Sequence, residues 1–128
     1  MVKNEAKFQT RFGTFLKTKW TEGTAVFELK FARGTRMQFS QIKPHQLVAL
    51  RLVSNKSLYF KIPDTSYSPL PFDCFFLVKQ PAYFAIMFEE NKSCFYLLSI
   101  EQIDGLIYAG NKSITLDDCE RLGRKFQL

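Results

Sequence analysis

The spacing of apolar residues changes from helical to strand-like within the first 31 positions, which limits the chain to folds that combine helices with a sheet. Between residues 4 and 20 the apolar side chains recur three or four positions apart: Phe8, Phe12, Phe15 and Leu16. Residues 24–31 alternate instead, with Phe27, Leu29 and Phe31 on one side and Val26, Glu28 and Lys30 on the other. The first spacing predicts an amphipathic helix and the second a half-buried strand. Helices are therefore expected to cover a sheet.

The remaining sequence predicts a second helix, several strands and two short closing helices. Ser40 is the expected cap of the second helix, which carries Pro44 in its first turn and ends at Asn55. Four runs rich in strand-forming residues follow, at 57–62, 72–78, 82–88 and 94–100, and favour a mostly antiparallel set. Capping boxes precede the closing helices, the second of which ends near Gly123 before a basic tail: Ser99 with Gln102, and Thr115 with Asp118. The expected fold class is α/β, or α+β, with helices flanking a central sheet.

The length and composition indicate one domain spanning residues 1–128. The chain has 128 residues, of which 46% are hydrophobic and 14 are phenylalanine. This is enough apolar surface for one core, which we expect to be rich in phenylalanine, and too little chain for two domains. The first seven residues are mostly polar, and no apolar stretch approaches the length of about 20 residues that spans a membrane, so neither secretion nor a membrane segment is predicted.

Charge and cysteine content suggest a polyanionic partner and a reducing compartment. Eighteen Lys and Arg against 12 Asp and Glu give a net charge of +6, which favours nucleic acid as a partner. A solvated basic face would give the same charge. The three cysteines form no CxxC pair and have no histidine at zinc spacing, so neither a disulfide framework nor a structural zinc is indicated. The cytoplasm is the expected location.

Glu28 and Lys30 are the residues of the predicted strand that suggest chemistry. Side chains two positions apart on a strand share a face, so this carboxylate and this ammonium group must be neighbours. Phosphodiester hydrolysis requires a hard divalent cation held by oxygen ligands, a positioned water and positive charge near the phosphate. Glu28 and the carbonyl of Leu29 have suitable oxygens for Mg²⁺, and Lys30 has the charge. An exposed ion pair on the strand surface is the simpler explanation of the triplet taken alone.

The sequence around this triplet resembles the PD-(D/E)xK nuclease superfamily. Glu28-Leu29-Lys30 lies on an apolar strand, a basic loop follows, and a helix carries His45-Gln46 about sixteen residues later. Within the superfamily, the segment Phe39-Ser40-Gln41-Ile42-Lys43-Pro44-His45-Gln46, with residues 82–88 and 94–98, is most similar to the RecU-type Holliday-junction resolvases. The resemblance covers residues 5–105. It implies a restriction-endonuclease-like core, Mg²⁺ or Mn²⁺ as cofactor, branched DNA as substrate, and a homodimer with one site in each subunit.

The resemblance also assigns roles to particular residues, and one role is unfilled. Glu28 would bind the metal, Lys30 would serve the nucleophile or the phosphate, and Gln46 would support the site. The superfamily's first aspartate has no counterpart, because no aspartate lies between Met1 and Glu28. Asp73 is the expected second metal ligand, which requires a rearranged strand order, and Asp64 is the reserve. Each of these two aspartates could instead close a turn.

Glu5 and Gln46 are polar residues on otherwise apolar helix faces. Glu5 shares a face with positions 8, 12 and 16, where it could reach the metal or only interact favourably with the dipole of its helix. Gln46 shares a face with Ala49, Leu50 and Val53. A buried amide needs hydrogen-bond partners, which an active site or a plain core contact would supply.

Two functions are compatible with these residues. The first is a metal-dependent endonuclease acting on branched DNA, with phosphate contacts from five basic residues: Arg33, Arg36, Lys43, Lys17 and Lys19. The second is a non-catalytic module that binds nucleic acid or protein, in which Glu28 and Lys30 form only an ion pair. The missing first aspartate favours the second function. His45 has no second histidine beside it in the sequence and is expected to lie outside the metal site.

Overall fold

The computed structural model describes residues 2–62 and 72–128, and every structural statement below concerns these residues. The helices are α1 (Val2–Thr18), α2 (Pro44–Asn55), α3 (Ile100–Tyr108) and α4 (Leu116–Leu122), with a 3₁₀ turn at Phe39–Gln41. The strands are β1 (Val26–Ala32), β2 (Arg36–Gln38), β3 (Leu58–Lys61), β4 (Cys74–Leu77), β5 (Ala82–Phe88), β6 (Asn91–Ser99), β7 (Ser113–Thr115) and β8 (Arg124–Gln127). The predicted mixture of helices and strands is therefore confirmed.

The central sheet has four strands in the order β1-β5-β6-β8. The pairs β5-β6 and β6-β8 are antiparallel, whereas β1 runs parallel to β5. A parallel pair needs a long crossover connection, and α2 lies in that connection. Helices cover both faces of this mixed sheet. The strand order makes β1 the edge strand on one side.

The face covered by α1 is built from aromatic side chains, as the phenylalanine content predicts. Phe8, Phe12 and Phe15 of α1 are each at most 5% exposed. All three contact the buried ring of Phe95 on β6, with ring centroids 5.0–6.0 Å apart. Edge-to-face and tilted arrangements of this kind add to the hydrophobic stabilisation of the core.

The opposite face is covered mainly by aliphatic side chains. Leu50 and Val53 of α2 and Ile103 of α3 belong to the same buried cluster as Phe84 and Leu98 of the sheet. The predicted capping boxes are confirmed, since Ser99 Oγ accepts from the Gln102 backbone N–H and Thr115 Oγ1 from that of Asp118. These caps fix where the last two helices begin.

Ser40 is not the cap of the second helix, which was predicted too long at its start. Ser40 belongs to the 3₁₀ turn, and α2 begins four residues later at Pro44. A proline disfavours helical geometry in the residue before it, and Lys43 is extended, with φ −69° and ψ 140°.

The segment after Gly123, predicted as a basic tail, forms the strand β8. This strand pairs with β6, and its Phe126 ring stacks on that of Phe95.

The predicted strands at 57–62 and 72–78 form their own hairpin. They appear as β3 and β4, which pair with each other and not with the central sheet. The only other described pairing outside that sheet joins β2 to β7, which the sequence did not predict. Asp64 lies outside the described residues.

The three cysteines are free thiols, as expected from their number and spacing. Cys74 is exposed, and Cys94 and Cys119 are buried. Burial raises the pKa of the Cys119 thiol to about 12, with a further contribution from the charge of Asp118. None of the described helices combines the length and apolar character needed to cross a membrane.

Candidate functional site

A polar cleft of about 450 Å³ lies at the outer edge of β1. Its walls come from α1, β1, the segment that follows β1, and the beginning of α2. The residues that line it are Glu5, Gln9, Glu28, Leu29, Lys30, Phe31, Met37, Gln41, Lys43 and Gln46. The structure thus brings together five residues that the sequence singled out as catalytic or metal-binding, namely Glu5, Glu28, Leu29, Lys30 and Gln46.

The backbone of β1 directs one carbonyl away from β5 and toward this cleft. The Val26 N–H donates to the Pro81 carbonyl at 2.9 Å, and the Ala32 carbonyl accepts from the Glu89 N–H at 2.8 Å. In a parallel ladder each residue directs both backbone groups to the same side and successive residues alternate. Even-numbered residues of β1 therefore bond to β5, and the carbonyl of Leu29 points to the open edge.

Lys30 is held in a fixed position by the first turn of α2. Its Nζ donates to Gln46 Oε1 at 2.9 Å, and the backbone N–H of Lys43 donates to the same oxygen at 3.3 Å. Because both partners are donors, the atom they share must be the amide oxygen, which orients the Gln46 side chain. An ammonium group has three N–H bonds, so Lys30 keeps two for a ligand.

Glu28 lies beside Lys30 on the same face of β1, as strand alternation predicts. The Lys30 Nζ and a Glu28 carboxylate oxygen are 3.9 Å apart, an ion-pair distance that is too long for a hydrogen bond. The Lys30 side chain is 13% exposed and that of Glu28 is 31% exposed. The carboxylate is therefore the more open of the two groups and can accept a ligand from the cleft.

The donors in the cleft fit a hard divalent cation. Glu5 and Glu28 contribute carboxylates, and Leu29 contributes its outward carbonyl. Mg²⁺ is commonly bound through one or two carboxylates and keeps several waters, so these are the groups that could hold Mg²⁺. Within residues 2–62 and 72–128, no three His, Cys, Asp or Glu side chains gather into a metal-binding group. Any cation here would rely on these oxygens and on water.

Asp73, the predicted second metal ligand, does not line the cleft. It lies just before β4, where its carbonyl accepts a hydrogen bond from the Ile62 N–H across the hairpin. The hairpin follows the C-terminus of α2, whereas Gln46 lies in the first turn of that helix. A helix of 12 residues is about 18 Å long, which separates the two regions. Glu5 is the upstream acid that the structure places at the site.

The five basic residues predicted to contact phosphate occupy different places. Lys43 lines the cleft, and Arg33 directly follows β1. Arg36 lines a separate hollow beside the beginning of α4. Lys17 and Lys19 lie at the far end of α1 from Glu5, a distance of about 18 Å or more along the helix axis. Only Lys43 is placed for direct contact with a ligand in the cleft.

Four lining residues were not predicted to belong to the site: Gln9, Phe31, Met37 and Gln41. Met37 and Gln41 belong to β2 and to the 3₁₀ turn, which are too short to give a periodic signal. Gln9 follows Glu5 by four positions, so the two share one side of α1. That spacing is the one signal by which Gln9 could have been found.

Comparison with known proteins does not identify the chain. No protein family, curated protein or solved structure matches it. Its function must therefore be inferred from the geometry and charge of the cleft. The groups available are two carboxylates, one edge carbonyl, and a lysine fixed by an amide.

Gln46→Leu is expected to destabilise the fold by about 1–3 kcal/mol, because it removes the acceptor of the largely buried Lys30 ammonium. Urea denaturation of the variant measures this loss. In the double variant Lys30→Met, Gln46→Leu no unpaired ammonium remains, so most of the lost stability should return. If the double variant instead loses as much stability as the Lys30→Met and Gln46→Leu single variants lose together, the hydrogen bond between Lys30 and Gln46 contributes nothing to stability.

Proposed function

We propose that the protein is a Mg²⁺- or Mn²⁺-dependent endodeoxyribonuclease that hydrolyses branched DNA in the manner of a Holliday-junction resolvase. The observation that supports this most directly is the joining of Glu28, Lys30 and Gln46 in one polar cleft. These are the residues to which the PD-(D/E)xK resemblance assigns catalytic roles. The restriction-endonuclease-like arrangement remains part of the proposal.

The carboxylates would hold the cation at the edge of the sheet. Glu28, Glu5 and the carbonyl of Leu29 are the groups available for this purpose. When bound, the cation would supply Lewis-acid stabilisation of the negative charge that develops on the phosphate.

Lys30 would position the reacting groups. Its ammonium is fixed by Gln46, and its two remaining N–H bonds can hold the attacking water or a phosphate oxygen. Water attacks phosphorus, the bond to the leaving oxygen breaks, and the products are a phosphate end and a hydroxyl end. Lys43 would neutralise a neighbouring phosphate from the wall of the cleft.

The proposal includes a homodimer as its active form. A junction is resolved by two symmetric nicks, and a two-fold dimer with one cleft in each subunit would supply them. The net charge of +6 favours approach to DNA of any shape.

A non-catalytic binding module is the second candidate function. It is favoured by the absence of an aspartate between Met1 and Glu28, where the resembled superfamily has its first metal ligand. In that case the same cleft and the surrounding basic residues would bind nucleic acid or protein without cutting, and Glu28 would only balance the charge of Lys30.

Cleavage of labelled DNA tests the proposal directly. A four-way junction, a linear duplex and a single strand would be incubated at equal concentration with Mg²⁺, with Mn²⁺ or with EDTA. Symmetric nicking of the junction that requires metal would support the resolvase activity. Cutting of linear DNA alone would support nuclease activity and contradict the specificity for branched DNA. Binding without cutting in either metal would favour the module.

Glu5→Gln is expected to lower the cleavage rate about 10–100-fold, with DNA affinity retained, because one of two carboxylates at the cation is lost. Asp73→Asn is the matched comparison and should cut at nearly the wild-type rate if the second metal ligand is Glu5. Rates at saturating Mg²⁺, and their dependence on Mg²⁺ concentration, would be measured for both. If only Asp73→Asn loses most of its cleavage rate, the second metal ligand is Asp73, as predicted from the sequence, and not Glu5.

A further inference from the structure

The two faces of the β3-β4 hairpin differ in how far their rings are exposed. Side chains alternate along a strand, so Leu58 and Phe60 share one face, whereas Tyr59 and its partner Phe76 share the other. Leu58 packs against the aliphatic core, which makes its face the inner one. Phe60 on that face is 39% exposed, whereas Tyr59 and Phe76 are 65% and 63% exposed. The outer face therefore presents two rings to solvent.

Tyr59 and Phe76 lie opposite each other at a position where the two strands bring side chains close together. The Ile62 N–H donates to the Asp73 carbonyl at 2.8 Å, and these two residues continue the register of the hairpin. Hydrogen-bonded and non-hydrogen-bonded pairs alternate along an antiparallel ladder, so Tyr59 and Phe76 form a non-hydrogen-bonded pair. Their Cα atoms are then about 4.5 Å apart, the closer of the two spacings. The two rings thus belong to one aromatic surface.

Lysine residues lie beyond both ends of this pair of rings. Lys61 follows Tyr59 by two positions on the same face of β3, about 7 Å along the strand. Lys56 and Lys79 are exposed at the base of the hairpin, where Lys56 precedes β3 and Lys79 follows β4. Neither of the two strands contains an acid. We call Tyr59, Phe76 and Lys61 the aromatic platform.

We propose that the aromatic platform stacks the unpaired bases of single-stranded nucleic acid. Aromatic rings on neighbouring strands stack on bases of any sequence, and basic side chains beside them neutralise the backbone phosphates. Lysine is depleted in the cores of protein interfaces, so Lys61 beside the rings favours a polyanion over an apolar protein surface. The net charge of +6 acts in the same direction. This contact lies beyond the C-terminus of α2, whereas the cleft lies at its beginning, and it goes beyond the proposed cleavage.

Binding in EDTA tests the platform without cleavage, so its failure is distinguishable from a failure of the nuclease proposal. The probes are an oligothymidylate of about 12 nucleotides, an oligonucleotide of equal length that lacks its bases, and a duplex. Wild-type protein should bind the intact single strand at least about 10-fold more tightly than the abasic one, because only intact bases can stack. Tyr59→Ala and Phe76→Ala should each weaken binding of the intact strand about 5-fold or more. Their affinities for the abasic strand and the duplex should stay within about twofold of wild type, since neither offers an unpaired base.

Tyr108→Ala is the matched control, because it removes a ring that is 96% exposed on α3, outside the platform. It should bind every probe as wild type does. Phe76→Tyr keeps an aromatic face and should retain the affinity for the intact strand. Lys61→Met should weaken binding of the intact and abasic strands alike and reduce the salt dependence by about one phosphate contact, a result that remains usable if circular dichroism shows an alanine variant to be unfolded. Equal wild-type affinity for the intact and abasic strands would overturn the proposal, and so would folded alanine variants that bind the intact strand as wild type does.

Discussion

Glu28→Gln is expected to abolish metal-dependent cleavage of branched DNA while DNA affinity changes only a few-fold. The substitution keeps the size of the side chain and removes the charge that would hold the cation. Cation stabilisation of the phosphate contributes several kcal/mol to such reactions, and each 1.4 kcal/mol is about a factor of ten in rate. The cleavage rate should therefore fall about 1,000-fold or more. Affinity comes mainly from lysine and arginine contacts to phosphates and is largely retained.

Glu89→Gln is the matched control for this experiment. Glu89 is exposed in the turn after β5 and does not line the cleft, so the control makes the same change of charge elsewhere. Single-turnover cleavage and equilibrium DNA binding would be measured for both variants and for wild type. Normal cutting by Glu28→Gln would remove Glu28 from the mechanism. Equal loss in both variants would mean that overall charge, and not a site, determines activity.

Lys30→Met extends the same test to the second residue of the triplet. It should slow cleavage about 100-fold or more, the usual cost of removing one charged donor from a reacting oxygen. This variant also distinguishes the endonuclease from the binding module. In the endonuclease the main loss is in cleavage rate, whereas a binding module does not cleave DNA and would show only a loss of affinity.

The sequence predicted local elements well because their signals are contained in a few neighbouring residues. Alternation along β1 placed Glu28 and Lys30 on one face, and the structure finds their charged groups 3.9 Å apart. The apolar face of the second helix likewise identified Gln46, whose amide accepts from Lys30. These predictions needed only the period of a strand and the period of a helix.

Pairings between distant strands could not be predicted in the same way. The sequence contains no local sign that β1 pairs in parallel with β5, or that β2 pairs with β7. Asp73 shows the consequence, since its role was predicted from its position after Pro71 at the start of a predicted strand. The structure places it in the hairpin of β3 and β4, outside the lining of the cleft. Strand order depends on how all the faces pack together, which no short segment encodes.

Phe95→Ala is expected to lower the free energy of unfolding by about 3–5 kcal/mol, the usual cost of removing a buried phenylalanine ring. Phe95 is 0% exposed, and its ring contacts those of Phe8, Phe12, Phe15 and Phe126. Pairs of aromatic rings add about 0.5–1.5 kcal/mol each beyond the area that they bury, which favours the upper end of the range. Domains of this size are stable by about 5–15 kcal/mol, so the variant should be close to its unfolding threshold.

Guanidinium denaturation, monitored by tryptophan fluorescence, measures this loss. Trp20 packs against the aromatic cluster that contains Phe95, so its emission should report unfolding of that cluster. Tyr108→Ala, at an almost fully exposed ring, should change stability by no more than about 0.5 kcal/mol. The cleft should also respond to Phe95→Ala, since Phe8 anchors the turn of α1 that carries Glu5. A loss below about 1 kcal/mol would contradict the packing of α1 on the sheet, and with it the position of Glu5 in the same cleft as Glu28.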